Sequence, residues 1–532
     1  MRIAQASASK WWDARPASIA LSEGLIALLY VALTLVALYP VFSVAIPPLV
    51  DYPSHLARLY VLTSVDRVPL LAERYAVDWN ILPNLAMDIV VYVLARWMPV
   101  VEAMRLFVGL TLALIVAGSL ALHRALYGRI SLVPMAVFLV LYNHVLIYGF
   151  VNYLFGLGLY LLAFAGWIAT PRWPAWRRMP VFALAAAALF FAHLFAFGVY
   201  GLSVVAYELW QARAAPGKAW RIDLRHWAIT LAQFVPAALL LRAGPLGERN
   251  GFINFGDLND KLLALVSPIW CYGGWLDLAM FAFVLVLLVR GLSTGRLDIA
   301  ERLRFPIVIL LLAAILMPSW LLGVWGVDFR LPLVLVCLIA AGSQVELPNR
   351  RMAVAVGAVG LALFAARIWT VCEIWRGYDA QYDEFRRAAQ AIAPGARLLV
   401  VQQPREGRFD QPYWHMASTA VIDRSVFLPN MFKDRTAQPV HATKAYAAID
   451  TPFGTPISPE MLRLAAEDPA LAKMAGMRLP TGNRVYFIHW QDNFDYVLYM
   501  HFGANENPMP SFLRHVQSGS FFDIYKVARR QD

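Results

Sequence analysis

Three side chains able to move or hold charge stand at one helical spacing early in the chain. Asp51, His55 and Arg58 lie at i, i+4 and i+7, in and just after the stretch Pro47-Pro48-Leu49-Val50-Asp51-Tyr52-Pro53-Ser54-His55, where the first long apolar segment stops. A helix beginning at Asp51–Pro53 projects all three from one face. A carboxylate, an imidazole and a guanidinium then share one surface at membrane level, with the acid held by flanking prolines. That arrangement suits receiving and activating something delivered by the membrane. The plainer alternative is that Asp51 is the N-cap of its helix and that His55 and Arg58 touch lipid headgroups.

Other candidates are scattered further along. His193 sits among Phe191, Phe195 and Phe197; Arg330 sits in Asp328-Phe329-Arg330-Leu331-Pro332; Asn143, His144 and Asn152 fall in Tyr142-Asn143-His144 and Tyr148-Gly149-Phe150-Val151-Asn152-Tyr153. Each also has a structural reading: a core histidine bonded to a carbonyl, an Asp328–Arg330 ion pair, polar residues joining neighbouring helices. Cys271, Cys337 and Cys372 are too scattered for a disulfide framework or a zinc site, and no Walker loop, dinucleotide fingerprint or GxSxG elbow occurs.

The elements that must position these residues are membrane helices. Across 532 residues, 60% are hydrophobic and 15% charged, with a mean hydropathy of +0.56. This is an α-helical polytopic membrane protein. The N-terminal stretch carries Arg2, Lys10 and Arg15 but no small-residue cleavage site after its apolar run, so the first segment reads as a retained helix. The net charge of +11 resides largely in short loops, where it orients helices and does not mark a nucleic-acid partner. Basic clusters at Arg124/Arg129, Arg172/Arg177/Arg178, Arg213/Lys218/Arg221/Arg225, Arg290/Arg296/Arg302/Arg304 and Arg350/Arg351 face the cytoplasm by the positive-inside rule. With roughly 15–25 residues per crossing, spans fall near 19–44, 103–122, 131–148, 153–170, 179–192, 194–210, 226–243, 276–290, 305–322, 331–345 and 352–371. These make about eleven crossings, with the N-terminus inside and the C-terminus outside. The pair at 179–210 is short for two spans and is divided at His193; a single tilted helix is the alternative.

The membrane domain thus covers 1–371 and includes an outer loop at 45–102. In that loop Ser54–Ser64 and Pro83–Met98 have helical spacing with charges on one side, as interfacial helices do. Asp88 and Arg96 favour this over a crossing at Pro83–Met98. After Val371 the composition turns polar, and 372–532 reads as an extracytoplasmic α/β domain. A helix is predicted at Asp379–Ala393, another at Ser458–Gly476, and strands at Arg397–Gln402, Arg484–Trp490, Tyr496–His501 and Phe521–Val527.

A membrane helix, an outward loop opening on an acid, interfacial helices, the run Glu102-Ala-Met-Arg105-Leu-Phe and a late Arg-Leu-Pro together resemble the polytopic glycosyltransferases of the GT-C fold. That group includes the protein O-mannosyltransferases and the lipid A aminoarabinose transferase. The resemblance implies sugar transfer from a polyprenyl-phosphate-linked donor to an extracytoplasmic glycan, lipid or protein, at the cytoplasmic membrane. It implies Asp51 as general base with His55 beside it, and Arg330, Arg58 and His193 as phosphate and donor ligands. Asn143, His144 and Asn152 then line the substrate. Many relatives carry a second acid in the next outer loop; the Asn143–Asn152 stretch has none, so a divalent-metal site of the family type is not supported. A lipid-linked saccharide transporter or flippase would show internal repeats and midplane ionisable groups, which are not found. A non-catalytic assembly subunit would explain the missing acid but not the Asp51 constellation.

This topology predicts that single cysteines replacing Asp51, His193 or Arg330 in a cysteine-free background are labelled by an impermeant maleimide on intact cells. Arg177→Cys and Arg302→Cys should react only after permeabilisation; external labelling at position 177 would overturn the orientation.

Overall fold

The computed structural model describes residues 21–214, 223–244, 252–321, 324–403, 412–451, 455–477, 485–501 and 506–528. Arg2, Lys10, Arg15, Lys218, Arg221 and Arg484 lie outside the described residues. The protein is a multi-pass membrane protein. Among the described residues six helices are long and apolar enough to cross a bilayer: Glu23–Ser43, Val100–Tyr127, Val151–Ala169, Ala175–Ala192, Trp275–Ser293 and Arg350–Ala391. A seventh crossing results if Leu224–Ala232 and Val235–Ala243, bent by 48°, form one span.

The other expected spans take different forms. Leu194–Ala214 is a 21-residue helix whose apolar character is diluted by Glu208 and Gln211. Glu301–Leu316 has 16 residues and Arg330–Gly342 has 13. The expected helix at 131–148 is instead a 3-10 segment, Val133–Val140, followed by a single α turn, His144–Ile147. Asn143 makes this break. Its amide Nδ2 donates to Val140 O at 2.7 Å while its Oδ1 accepts from Leu146 N–H at 3.0 Å, so the side chain ends one segment and caps the next.

Chain contacts gather the protein into two compact units. The first comprises 1–42, 108–243 and 249–373; the second comprises 43–107, 244–248 and 374–532. The division differs from one drawn on composition alone, because residues 43–107 pack with the C-terminal chain.

In the first unit, glycines set the closest helix approach. A Cβ on Gly158 would lie 2.6 Å from Leu114 Cβ, and one on Gly118 would lie 2.6 Å from Leu161 Cβ, so Val100–Tyr127 and Val151–Ala169 meet backbone to backbone. Buried polar groups pair across helices, as in Tyr160 with Ser203 and Tyr200 with Gln233, both at 2.8 Å. Asp277 and Arg367, both buried, form an ion pair at 2.5 Å. The expected division at His193 is present, with that residue extended between Ala175–Ala192 and Leu194–Ala214.

The second unit is α/β. Its sheet runs in the order Leu513–Ser518, Phe522–Val527, Tyr496–Met500, Leu398–Gln402, with the last pair parallel and the others antiparallel. Three of these strands coincide with expected ones. The expected strand at Arg484–Trp490 is instead a turn over 485–489, with His489 at φ 57°, leading into a short helix at Trp490–Asn493. Trp490 is fixed there by its indole N–H, which donates to Leu462 O. The expected helix at Ser458–Gly476 is two helices, Pro459–Glu467 and Pro469–Gly476; Asp468 caps the second by accepting from Leu471 N–H. The edge strand Leu513–Ser518 was not expected, because exposed Arg514, His515 and Gln517 break its apolar alternation. Tyr75–Val77 pairs antiparallel with Val440–Ala442.

Helix Tyr52–Ser64 crosses this second unit almost wholly buried, so its polar residues face protein and not a lipid surface. It packs against Thr419–Arg424 and against Ala86–Leu94. In Ala86–Leu94 one face, Ala86, Met87, Asp88 and Val91, is buried, while Ile89 and Val93 are exposed, as is Trp97 just beyond. Asp88 is therefore not an interfacial charge: it accepts from Arg58 Nη2 at 2.9 Å, and both side chains are fully buried. Burial pulls Arg58 below and Asp88 above their ordinary pKa values, and the attraction between them opposes both shifts. Removing one partner strands a buried charge, at a cost of ~3–5 kcal/mol. Asp88→Ala should therefore sharply lower the thermal unfolding midpoint of the purified protein. Arg58→Met with Asp88→Leu should recover most of it; a double variant no better than Asp88→Ala would show that the pair is not the cause.

Candidate active site

In the second unit the site is built on the first turn of helix Tyr52–Ser64. Asp51 occupies the N-cap position with φ −84° and ψ −13°, but its carboxylate makes no capping hydrogen bond to the first-turn amides. Capping is not what holds this side chain. It is 18% exposed, and its Oδ1 lies 3.8 Å from His415 Nε2. His415 comes from a turn that runs into a 3-10 turn at Met416–Ser418. One helical turn after Asp51, His55 packs its ring 5.1 Å from Phe432, and the His415 ring packs 4.7 Å from the same Phe432. Phe432 is tied to the helix through its own N–H, which donates to Ser54 Oγ at 2.8 Å.

Both imidazoles are buried, and burial disfavours their charged forms. It pushes His415 down to about 3. His55 is held well below its ordinary range by burial first, then by Arg58 and His415. The candidate base thus stands beside two uncharged rings. Deeper in this unit, Lys433 forms a buried ion pair with Asp450 and donates to Pro429 O. Arg58, expected to bind phosphate, is fully buried against Asp88 and presents no face to a lipid headgroup.

In the first unit the candidates gather around Tyr153. Arg330 begins helix Arg330–Gly342 and is buried. Its guanidinium lies 5.1 Å from the centre of the Phe150 ring and 5.7 Å from those of Tyr153 and Phe195. Tyr153 O–H donates to Arg330 O at 2.6 Å, and its ring meets His193 edge-on at 5.5 Å. The structure therefore brings Arg330 and His193 onto one aromatic residue. Asp328 is committed elsewhere: its Oδ2 accepts from Ser319 Oγ at 2.5 Å and from Lys261 Nζ at 3.2 Å. Asn143 serves as the cap described above. His144 is buried against Tyr148 and Phe329, and Asn152 is buried in Val151–Ala169. Among the described residues no group of three His, Cys, Asp or Glu side chains has the placement of metal ligands.

No family model and no curated protein matches the chain. The structure is similar to the crystal structure of ArnT from Cupriavidus metallidurans bound to undecaprenyl phosphate. The likeness spans 95% of this chain and 98% of that one, with a TM-score of 0.51 and 13% sequence identity. The chain has the GT-C fold. Within this fold Asp51 stands at the start of helix Tyr52–Ser64, and the sequence reading did not find His415, whose imidazole faces it. The signal for His415 was faint, a histidine in the aromatic run Tyr413-Trp414-His415 far along the chain, in a region set aside as a separate domain.

The burial of His415 has a consequence for stability with a definite sign. In the unfolded chain it takes up a proton near its ordinary pKa of 6.5, whereas the folded protein does not until about pH 3. Its contribution is complete above about pH 6.5 and is lost as pH falls below that, by ~1.4 kcal/mol per unit at most. His415→Gln should therefore flatten the fall in unfolding temperature between pH 6.5 and 5; a curve parallel to wild type would contradict the neutral, buried assignment.

Proposed function

We propose that the chain transfers a sugar from a polyprenyl-phosphate-linked donor to an acceptor hydroxyl on the outer side of the cytoplasmic membrane, with Asp51 as general base. The observation that carries this reading is the state of Asp51: a carboxylate at a helix start, not used as a cap, partly exposed, beside two uncharged imidazoles. The GT-C fold and the undecaprenyl phosphate held by ArnT support the donor class.

The chemistry follows from the groups. The acceptor oxygen attacks the anomeric carbon and forms the new glycosidic bond while the bond from that carbon to the phosphate oxygen breaks. The hydroxyl proton passes to Asp51, a step typically worth ~10²–10⁴-fold in rate. The lipid phosphate leaves with its negative charge and needs fixed donors in a partly dry place. Arg330 is the residue suited to this. Three aromatic faces around its guanidinium keep it charged though buried, and its planar fork matches phosphate oxygens. His193 shares Tyr153 with it and is the second candidate on that side. No observation favours the transporter or assembly-subunit readings over this one.

In a reconstituted assay following release of undecaprenyl phosphate from its glycosylated form, Asp51→Asn should lose ~10²-fold or more in turnover with an unchanged unfolding midpoint. Arg330→Ala should bind undecaprenyl phosphate more weakly and Arg330→Lys only partly restore it. Turnover retained in Asp51→Asn would remove the base assignment. Unchanged lipid affinity in Arg330→Ala would remove the phosphate assignment.

A further inference from the structure

We propose that His415 is a positioning residue for Asp51, whose Nε2–H meets the carboxylate and keeps it ionised and aimed for proton abstraction. This rests on the reading of Asp51 as the base.

The geometry supplies three supports. First, the two groups face each other, with Nε2 3.8 Å from Oδ1, the imidazole buried and the carboxylate partly exposed. A small rotation of the more exposed partner makes a hydrogen bond, and catalytic hydrogen bonds commonly shorten when substrate enters. Second, the ring is held in place. It packs on Phe432, whose backbone N–H is bonded to Ser54 on the helix that Asp51 begins, so base and imidazole share one support. Third, the tautomer is constrained. His415 Nδ1 is buried with no hydrogen-bond partner among the described residues. An orphaned buried N–H is rarer than an under-used acceptor, so the proton belongs on Nε2, the atom facing the carboxylate.

Other charged groups of these elements are engaged in ion pairs, Asp423 on the packed helix with Arg386 among them, and burial keeps Tyr52 in its neutral form. Arg58 pairs with Asp88, Lys433 with Asp450, and Arg105 beside Tyr52 with Glu102, while His55 is uncharged for the same reason as His415. His415 therefore acts as a fixed dipole. It does not take the acceptor's proton, which stays on Asp51 when the lipid phosphate departs.

The test needs no substrate. Purified protein is treated with a water-soluble carbodiimide and glycinamide across pH, and modification at Asp51 is followed by mass spectrometry; the reagent requires the protonated acid, so the midpoint reports its proton affinity. His415→Ala should raise that midpoint by about one pH unit. His415→Gln, which retains an N–H donor, should return most of the way to wild type. Unfolding midpoints of both variants, measured alongside, confirm that folded protein is compared. A midpoint unmoved in His415→Ala would overturn the positioning role, as would His415→Gln behaving like His415→Ala. Because labelling is read without turnover, either result leaves the base assignment to be judged on Asp51→Asn alone.

Discussion

Burying helix Tyr52–Ser64 within the second unit is the constraint from which the Asp51 cluster follows. The N-cap of this helix leaves the Asp51 carboxylate partly open, and each buried polar residue deeper along it must find a protein partner. Ser54 takes the Phe432 amide and Arg58 takes Asp88, while His55 loses its charge. Each of these fixes the helix a little more firmly, and Asp51 inherits the result. An acid on a freely placed loop would find its own solvent shell; this one is presented on a rigid support beside rings that cannot carry charge.

The membrane unit solves the same problem by different chemistry. Close backbone contact at Gly118 and Gly158 leaves little room for side chains between two of its helices, and its buried polar groups meet in neutral pairs such as Tyr160–Ser203 and Tyr200–Gln233 and in charged pairs such as Asp277–Arg367 and Asp328–Lys261. Arg330 is the instructive case. Its charge is surrounded by aromatic faces and lies two residues from an acid that is bonded to Lys261 and Ser319. Cation–π contact keeps a buried guanidinium charged at low cost. That is the condition an anion-binding arginine has to meet.

Much of this was legible in the sequence, for identifiable reasons. Long apolar runs gave the principal helices. The basic clusters flanking 179–210 exposed the division at His193, and β-branched runs gave the strands at Leu398–Gln402, Tyr496–Met500 and Phe522–Val527. What was lost depended on partners distant in the chain. Hydropathy over 131–148 registers apolar residues but not that Asn143 hydrogen-bonds on both sides of itself, so a broken segment looks like a span. Asp88 looked like a surface charge because nothing local reveals Arg58 as its partner. His415 lay in a stretch with no periodic signal, and it is the packing of Met416–Ser418 and Thr419–Arg424 on Tyr52–Ser64, far apart in the chain, that brings it to Asp51.

The contrast between Arg58 and Arg330 shows why residue type and spacing narrow a site without choosing its members. Both are helical arginines, both are almost fully buried, and both were candidates for the same phosphate. Their surroundings differ. A buried arginine bonded to a buried carboxylate is neutralised as a pair, and approach of an anion would have to break that pair at a cost of several kcal/mol. A buried arginine among aromatic rings has its charge stabilised by their faces. The same distinction separates Asp51 from Asp88. One acid is consumed by a cation and becomes part of the scaffold; the other stands partly exposed with the buried His415 imidazole facing it.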